Sequence, residues 1–325
     1  MTRRRDEAAA KGGERLLEPI LALHNAIRRA VVEACERQEP EQLAARAGED
    51  HGDTIYAIDR VAEQVLTAGL DGFAEPVCVV AEGLATKATD APWRMIVDPI
   101  DGTRGLMYQK RSAWILTGLA PNRGAATRLS DIALAVQTEI PLLKQHLSDQ
   151  LWAFKGRGMA GRRWNRLSQT AEPLTLRRSS ATTIAHGFAT VVRFFPGARE
   201  VLGAIDDEVI DALVQPQPGR AASFEDQYAC SGGQLYELIA GHDRFVADLR
   251  PLVKAHSLCC HPYDLCTELI AREAGVVVTD PAGRPLDAPL DVTSDVAWVG
   301  YANETLRRSI EPVLQAALRR RGLLT

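Results

Sequence analysis

The 325-residue sequence predicts an α/β layered sandwich with two lobes. Three observations lead to this prediction: an amphipathic helical pattern opens the chain, short apolar segments separated by turns follow it, and helix-like and strand-like patterns alternate in the second half. We expect an N-terminal α+β lobe over residues 14–172, with helices and a mainly antiparallel sheet. A C-terminal α/β lobe would span residues 173–325.

The first lobe is predicted to begin with helices. Apolar residues recur at helical spacing across residues 16–37, and Pro40 marks the end of that pattern. A second helical pattern reaches Leu66 after a turn at residues 51–54. Apolar runs typical of strands come next, at residues 76–81, 95–97, 113–119, 132–139 and 151–154.

The second lobe is predicted to start where Pro173 and Ser179 mark a change of pattern. Residues 265–274 favour a helix that Gly275 ends, and Asn303 is a suitable cap for a closing helix. Helix-like and strand-like patterns otherwise alternate, at residues 184–194, 199–214, 234–240, 276–279 and 296–301.

The composition is that of a globular protein and excludes some partners. Hydrophobic residues make up 46% and charged residues 25%, and the net charge of −4 argues against binding to a nucleic-acid polymer or a membrane surface. Six cysteines occur without a CxxC pair or a secretory signal, so we expect reduced thiols. No segment has the length of a membrane span. These features predict a cytoplasmic protein.

The strongest local pattern is the end of the apolar run at residues 95–97. Asp98 and Asp101 follow it three positions apart, and Gly102 then allows a sharp turn before a helix that Thr103 can open. Two carboxylates on one turn repel each other unless a cation lies between them, and a hard divalent cation prefers oxygen ligands. The following helix start can face a phosphate. The pattern therefore indicates phosphoryl chemistry.

Three further acids fall where the predicted elements start or end. Glu82 follows the strand at 76–81, Asp264 precedes the helix at 265–274, and Asp59 lies in the second helical segment. Each has a purely structural interpretation as well: Asp264 as a helix cap, Glu82 as a solvated strand end, Asp59 as a surface acid. Only their combination with the acids of the turn favours a metal site.

That combination resembles a known family. Residues 97–103, Val-Asp-Pro-Ile-Asp-Gly-Thr, resemble the DPIDGT signature of the inositol monophosphatase superfamily of metal-dependent phosphatases, which includes fructose-1,6-bisphosphatases and 3'(2'),5'-bisphosphate nucleotidases. Other segments resemble the family's motifs in the same order along the chain, at residues 53–59, 79–83, 155–161 and 262–280. The resemblance thus spans most of the sequence and implies an inositol monophosphatase-like fold.

The resemblance implies a set of metal ligands. Glu82, Asp98 and the backbone carbonyl of Ile100 would hold a first Mg²⁺. Asp98, Asp101 and Asp264 would hold a second, and a third, looser ion would contact Glu82 through water. Mg²⁺ suits such a site because it takes few carboxylates and keeps several waters. Two or three ions per site are therefore expected.

The resemblance also implies the residues that act on the substrate. The backbone N–H groups of Gly102 and Thr103 would bind the phosphate at the helix start. Asp59 and the Thr103 hydroxyl would position and deprotonate a metal-activated water. A pair of cations can stabilise both the attacking and the leaving oxygen, so no protein nucleophile is needed.

Some positions depart from the family pattern. Gly83 stands where a second glutamate is usual, and Tyr263 replaces a tryptophan. Arg104 follows Thr103 where a small polar residue is common, and it would either recognise a second anionic group or be a solvated residue of the helix. Lys110 and Arg111 have the same two interpretations.

A further loose match concerns substrate recognition. Residues 230–234 together with Asp248 resemble the segment that recognises inositol hydroxyls, which would make Asp248 a hydroxyl-binding acid. A structural turn is the alternative. An aspartate-nucleophile phosphatase is disfavoured, because Asp98 and Asp101 are one residue further apart than in that class.

The sequence therefore predicts a Mg²⁺-dependent phosphatase that hydrolyses a small phosphomonoester of an inositol, sugar or nucleotide. The resemblance adds the expectation of a homodimer. The alternative hypothesis is a non-catalytic sensor of the same fold that binds metal and a phosphorylated ligand.

Overall fold

The computed structural model describes residues 2–50, 53–70, 72–81, 90–215, 217–253 and 258–325. The chain divides into two compact units. The first comprises Met1–Thr175, Pro262–Ile270 and Ala288–Ser294; the second comprises Leu176–His261, Ala271–Asp287 and Asp295–Thr325. The predicted lobes are contiguous in sequence, whereas the first unit includes two segments from the last quarter of the chain.

Helices and a small hairpin open the first unit. Helix α1 is Thr2–Arg37, α2 is Pro40–Leu43 and α3 is Ala57–Leu70, with strands β1 (Arg46–Asp50) and β2 (Asp53–Tyr56) pairing antiparallel between them. The predicted helical pattern at residues 16–37 is confirmed. Its apolar side chains are buried because they face the other elements of the unit, as shown by Ile20, Ile27 and Val31.

A seven-stranded sheet forms the centre of the first unit. Its spatial order follows the chain from β3 to β9, and only β3 and β4 run parallel. All other neighbours are antiparallel, which confirms the predicted mainly antiparallel sheet. The strands are β3 Val77–Ala81, β4 Trp93–Asp101, β5 Ala113–Pro121, β6 Leu134–Ile140, β7 Leu147–Phe154, β8 Met159–Asn165 and β9 Thr170–Pro173.

The helices pack against this sheet through one continuous hydrophobic core. Helix α1 contacts α3, β5 and β6, and α3 contacts β4. His24 of α1 is a polar side chain that is fully buried between the helix and the sheet. It contacts Thr138 Oγ1 through Nδ1 at 2.9 Å and Thr117 Oγ1 through Nε2 at 2.7 Å. Both ring nitrogens therefore have a partner inside the core, as a buried imidazole requires.

The second unit contains a four-stranded sheet in the order β10-β11-β13-β12. Strands β10 (Phe188–Val191) and β11 (Asp243–Asp248) are parallel, and the other two pairs are antiparallel, with β12 at Val277–Thr279 and β13 at Trp298–Tyr301. Its helices are α5 Arg199–Val214, α6 Ser231–Ala240, α7 Arg250–Val253 and α9 Glu304–Arg320. The mixture of helices and sheets is that of the predicted α/β class.

Of two predicted helix starts, the one at Asn303 is confirmed and the one at residue 265 is wrong. Asn303 caps α9 as expected, since its side chain accepts a hydrogen bond from Leu306 N at 3.0 Å. The helix predicted at 265–274 is shorter: α8 is Glu268–Glu273, and turns occupy residues 262–267. Within the described residues, no helix combines the length and the apolar character that crossing a membrane requires.

Candidate functional site

Three carboxylates of the first unit come together in one cluster. Asp98, Asp101 and Asp264 each offer an oxygen, and these oxygens all lie within 4.8 Å of one another. Asp98 is 2% exposed and Asp101 is 7% exposed, while Asp264 is half-buried. Carboxylates at this spacing repel each other when ionised, and a hard divalent cation is the group whose preferred ligands match them. The donor set fits Mg²⁺.

A bulge in β4 places the two acids of the turn on the same side. Asp98 pairs with Leu116 and Asp101 pairs with Trp114, so three steps along β4 correspond to two steps along β5. In a regular strand, residues three positions apart point to opposite faces. Because the bulge adds one residue to β4, the side chains of Asp98 and Asp101 point to the same face of the sheet.

Ile100 lies within the bulge, and its backbone groups contact Asp98 of the cluster and the neighbouring Thr103. Its backbone N–H donates to Asp98 Oδ1 at 3.0 Å, and its backbone oxygen lies 3.0 Å from Thr103 Oγ1. The carbonyl predicted as a metal ligand is thus in the same turn as the carboxylates. The hydrogen bond holds the Asp98 carboxylate in one orientation.

Asp264 reaches the cluster on a turn rather than at a helix start. Leu265 N–H donates to Pro262 O at 3.3 Å and Glu268 N–H donates to Leu265 O at 2.9 Å, which are i to i+3 contacts. The interpretation of Asp264 as the cap of a helix from residue 265 is therefore wrong, because α8 begins only at Glu268. The tight turns direct the carboxylate towards the end of β4.

Gly118 of β5 makes room for this turn. A Cβ built on Gly118 would lie 2.6 Å from Ile132 Cδ1 and 3.0 Å from the backbone oxygen of Cys266. Contacts this short require the neighbouring atoms to move, and a backbone oxygen moves only with its segment. The missing side chain thus allows the segment that contains Asp264 to pack directly on the sheet. Gly118 was not singled out from the sequence, since a glycine within a strand pattern is its only signal.

Cys266 adjoins the cluster without adding a charge to it. Burial, followed by the charges of Asp98, Asp264 and Asp101, raises the pKa of the Cys266 thiol well above its usual value. The side chain is fully buried. Cys266 therefore stays a neutral thiol and acts as a packing residue beside the acids.

Thr103 and Asp59 form a hydrogen-bonded pair next to the cluster. Thr103 Oγ1 lies 2.8 Å from Asp59 Oδ1. A hydroxyl has one hydrogen, and an ionised carboxylate is a stronger acceptor than the Ile100 carbonyl, so Thr103 donates to Asp59. Asp59 Oδ2 accepts from Tyr56 N–H at 2.8 Å at the start of α3. Each oxygen of the Asp59 carboxylate therefore accepts a hydrogen bond.

Gly102 and the short helix after it have the expected geometry. Gly102 has φ 95°, a left-handed conformation that favours glycine, and α4 follows at Thr103–Met107. The N–H groups of Gly105 and Leu106 donate to Gly102 O at 3.0 and 3.2 Å. The turn after β4 is thus well defined, and phosphate binding by Gly102 and Thr103 stays a prediction.

The cations near this turn differ in exposure. Arg104 is half-buried, with its guanidinium carbon 5.7 Å from the centre of the Tyr56 ring. Lys110 is exposed and Arg111 is half-buried. Stacking on Tyr56, whose backbone N–H donates to Asp59, gives Arg104 a defined position. This position differs from that of a fully solvated helix residue.

Glu82 lies outside the described residues. The last described residue before it, Ala81, pairs with Val97, which directly precedes Asp98. The role of Glu82 as a ligand stays a prediction.

Asp248 belongs to the second unit and has a partner there. Its carboxylate is fully buried and receives Arg250 Nε at 2.8 Å and Arg250 Nη2 at 2.5 Å, a bidentate pair. Although burial alone lowers the pKa of Arg250, the adjacent Asp248 carboxylate outweighs it and raises that pKa above its usual value. Arg250 was not singled out from the sequence. A charged residue two positions after a strand-end acid was the available signal.

Comparison with known proteins relates more than half of the chain to one family. Residues 16–185, more than half of the chain, match the model of the inositol monophosphatase family. A curated relative, fructose-1,6-bisphosphatase/inositol-1-monophosphatase of Methanothermobacter thermautotrophicus, is 24% identical over 271 residues, which cover 81% of this chain and 84% of the relative. The amino-acid sequence itself therefore matches this family.

Solved structures of similar fold confirm the layered α/β class. The extragenic suppressor protein suhB from Bartonella henselae has a TM-score of 0.66 at 18% identity, covering 92% of this chain and 98% of that one. Fructose-1,6-bisphosphatase of Leishmania major in its holo form has a TM-score of 0.69 at 13% identity, covering 94% of each chain. These structures show the fold, and the family model that matches more than half of the sequence shows that the chain belongs to the inositol monophosphatase family.

Proposed function

We propose that the protein is a Mg²⁺-dependent phosphatase that hydrolyses a small phosphomonoester. The observation that supports this most directly is the convergence of Asp98, Asp101 and Asp264 within 4.8 Å, next to the Thr103–Asp59 hydrogen bond. A metal-binding cluster beside a hydroxyl–carboxylate pair is what hydrolysis by water requires.

The carboxylate cluster would hold the metal. Asp98, Asp101 and Asp264 would bind with their oxygens, joined by the Ile100 carbonyl and by Glu82. When bound, a pair of Mg²⁺ ions would stabilise the charge that develops on the attacking and leaving oxygens of the phosphate ester. The bulge in β4 serves this arrangement, because it places two of the carboxylates on one face.

The Thr103–Asp59 pair would orient the attacking water and accept its proton. Thr103 donates its hydrogen to Asp59, so its oxygen lone pairs face away from that bond and can accept from water. As the water attacks, its proton would pass to the Thr103 oxygen while the Thr103 hydrogen moves to Asp59 Oδ1. The hydrogen bond from Tyr56 N–H holds Asp59 for this transfer.

The turn after β4 would bind the phosphate group. The backbone N–H groups of Gly102 and Thr103 begin α4, and donors at a helix start suit an anion. Arg104, stacked on Tyr56, would contribute positive charge at the same place. These groups would bind the substrate phosphate on the side of the turn shared with the Thr103 hydroxyl.

The substrate is proposed only as a class. The relative from Methanothermobacter thermautotrophicus is named for fructose-1,6-bisphosphate and inositol monophosphate, which are phosphomonoesters of small polyols. Inositol, sugar and nucleotide phosphates are therefore the compounds to compare. A hydroxyl-binding role for Asp248 belongs to this proposal, although Arg250 already engages both of its oxygens.

Phosphate release from a panel of such monoesters tests the proposal. We expect Mg²⁺-dependent turnover that EDTA abolishes and that Asp98→Asn removes. The matched control is Asp207→Asn, the same chemical change at an exposed residue of α5, which should leave turnover unchanged. Metal binding without turnover of any panel member would instead support a sensor that binds phosphorylated ligands.

A further inference from the structure

A charged cavity lies in the first unit, between α1 and the strands β7 and β8. Its volume is about 530 Å³. Asn25 and Arg28 of α1 form one side, and Ser148, Gln150, Arg162 and Trp164 form the sheet side. Gln150 pairs with Arg162 and Ser148 pairs with Trp164 across the two strands, so these four residues share one face of the sheet. None of them belongs to the carboxylate cluster.

The cavity has an excess of positive charge. Four arginines line it, namely Arg28, Arg29, Arg162 and Arg166, against the two acids Glu33 and Glu36. Arg166 forms an ion pair with Glu36, and Glu33 forms one with Arg37, which does not line the cavity. For Arg28, Arg29 and Arg162, the described part of the chain provides no carboxylate partner in an ion pair.

On the opposite face of the same strands, the charge of an arginine is balanced by a carboxylate. Asp149 and Arg163 alternate with the cavity residues, and Arg163 donates to both Asp149 oxygens at 2.6 and 2.8 Å. On the cavity face the corresponding partner is an amide, since Arg162 Nε donates to Gln150 Oε1 at 2.7 Å. The positive charge of Arg162 is therefore oriented but not balanced.

Neutral side chains hold two of these arginines, Arg28 and Arg162, in place. Arg28 Nη1 donates to Ser148 Oγ at 3.1 Å and Arg28 Nη2 donates to Asn25 Oδ1 at 2.9 Å. Gln150 is itself fixed, because its Nε2 donates to Thr138 Oγ1 at 2.7 Å. A guanidinium has five N–H donors, so each arginine keeps N–H groups for a further acceptor. These donors are oriented before any ligand arrives.

The two guanidinium groups repel each other in this position. Burial, followed by the positive charge of Arg162, lowers the pKa of Arg28 to about 10, and the charge of Glu139, which acts in the opposite direction, does not outweigh them. Arg28 still has its proton at neutral pH, so the cavity is cationic there. An anion between the two groups would remove the repulsion and use their N–H groups, as phosphate and carboxylate oxygens do.

We propose that this cavity binds the phosphate group of a small molecule through Arg28 and Arg162. A phosphate has about −1.5 to −2 charge at pH 7, which matches two cations better than a single carboxylate does. The exposed Arg29 at the cavity rim would add long-range attraction. Trp164, whose ring lies 5.9 Å from the Arg28 guanidinium, would close one side. The proposal does not depend on the proposed phosphatase activity.

Calorimetric titration of the full chain with inorganic phosphate tests this site. The titration is done in EDTA, on the Asp98→Asn variant, so that metal at the carboxylate cluster does not contribute. We expect saturable binding that sodium chloride of equal ionic strength does not reproduce. Arg162→Gln should weaken the affinity by about ten-fold or more, because an oriented charged donor is lost. Arg319→Gln, the same change at an exposed residue of α9, should retain the affinity.

A second arm distinguishes the source of the phosphate group. Glycerol phosphate, a small monoester, is titrated beside inorganic phosphate, and tighter binding of the monoester would identify an organic phosphate as the ligand class. The change in tryptophan emission on phosphate addition gives an independent signal, which Trp164→Phe should reduce. If Arg28→Gln and Arg162→Gln do not fold, Arg29→Gln replaces them and should weaken binding by a smaller factor. No saturable binding, or equal affinity in the arginine variants, would overturn the proposal.

Discussion

The hydroxyl of Thr103 donates a hydrogen bond to Oδ1 of Asp59 at 2.8 Å, although 44 positions separate the two residues in the chain. Thr103 begins α4 after the bulge of β4, and Asp59 lies in the first turn of α3. The contact of α3 with β4 brings these two helix starts together. The bond therefore depends on how the helices pack on the sheet, and it gives the proposed phosphatase its proton acceptor.

The first prediction tests this pair. Thr103→Val keeps the shape of the side chain but removes the hydroxyl, so kcat should fall by about 10²–10⁴-fold, the range for loss of general acid–base catalysis. Thr103→Ser keeps the hydroxyl and should retain most of the activity. Steady-state kinetics on a turned-over monoester measures both. Equal kcat in Thr103→Val and wild type would exclude the proton-transfer role.

The second prediction concerns the carboxylate cluster. Asp98→Asn removes one of three mutually repelling carboxylates and keeps an oxygen that can accept from Ile100 N–H. Without metal, the melting temperature of the variant should therefore equal or exceed that of wild type. Added Mg²⁺ should raise the melting temperature of wild type only, because the affinity of the variant falls by at least about ten-fold. Equal stabilisation of both proteins by Mg²⁺ would argue against a metal site here.

The third prediction concerns Gly118. Gly118→Ala places a methyl group 3.0 Å from the backbone oxygen of Cys266 and 2.6 Å from Ile132 Cδ1, so the segment with Asp264 must shift. We expect a loss of about 1–3 kcal/mol in the free energy of unfolding, together with weaker Mg²⁺ binding.

Gly203→Ala is the matched control for that change. Gly203 lies inside α5, and a Cβ there meets no heavy atom within 4 Å. This variant should be more stable by about 0.5–1 kcal/mol, because alanine favours the helix, and should bind Mg²⁺ normally. Normal Mg²⁺ binding in Gly118→Ala would show that this glycine does not position Asp264.

The fourth prediction concerns pH. Burial, followed by the charge of Arg28, lowers the pKa of His24 from 6.5 to about 3 in the folded protein. Below pH 6.5, His24 takes up a proton in the unfolded chain but not in the folded protein. The contribution of His24 to the free energy of unfolding is therefore complete above pH 6.5. It is lost progressively towards pH 3, at up to about 1.4 kcal/mol per pH unit.

Comparison with a variant isolates this residue from the other titrating groups. His24→Gln has no titrating side chain at this position, so its free energy of unfolding should fall less steeply than that of wild type between about pH 6 and pH 4.5. Urea denaturation at several pH values measures the two slopes. Parallel slopes would mean that His24 does not titrate differently in the folded and unfolded chain.

The fifth prediction concerns the second unit. Arg250→Gln leaves the fully buried Asp248 without its guanidinium partner, so the free energy of unfolding should fall by about 3–5 kcal/mol. Arg284→Gln breaks an Asp–Arg pair at an exposed position, in which one side-chain hydrogen bond joins Arg284 to Asp280, and should cost about 1 kcal/mol or less. Equal losses in the two variants would contradict the structural role of the buried pair.

The sequence contained enough information for the fold class and for much of the candidate site. Apolar periodicity located α1 and most strands of the large sheet, because a side chain facing a core recurs every two or every three to four residues. The short pattern at residues 97–103 identified Asp98 and Asp101, since both acids, the glycine and the turn are local features. The match to the inositol monophosphatase family confirmed the resemblance on which the remaining roles rested.

Other features depended on contacts between distant segments, which a local pattern does not record. The short turn at residues 262–267 replaced the start of a predicted helix, because packing of that segment on Gly118 overrides its helical periodicity. Asp248 was interpreted as a hydroxyl-binding acid from a loose motif match alone. In the structure it is buried together with Arg250, which binds both of its carboxylate oxygens. The cationic cavity at Arg28 and Arg162 joins a helix and a strand more than 130 residues apart, since 162 − 28 = 134.

By itself, then, the sequence determined which side chains can bind metal and accept a proton, because these properties belong to the residue types and to their spacing within one turn. The family resemblance implied that Asp264 joins Asp98 and Asp101 and that Asp59 acts with Thr103, and the tertiary structure brings these side chains together. Only the tertiary structure decided that Arg250 pairs with Asp248 and that Arg28 and Arg162 line one cavity. The physical reason is that long-range packing selects which of the many possible neighbours lie within a few ångströms. Hydrogen bonds and metal coordination act only over such distances.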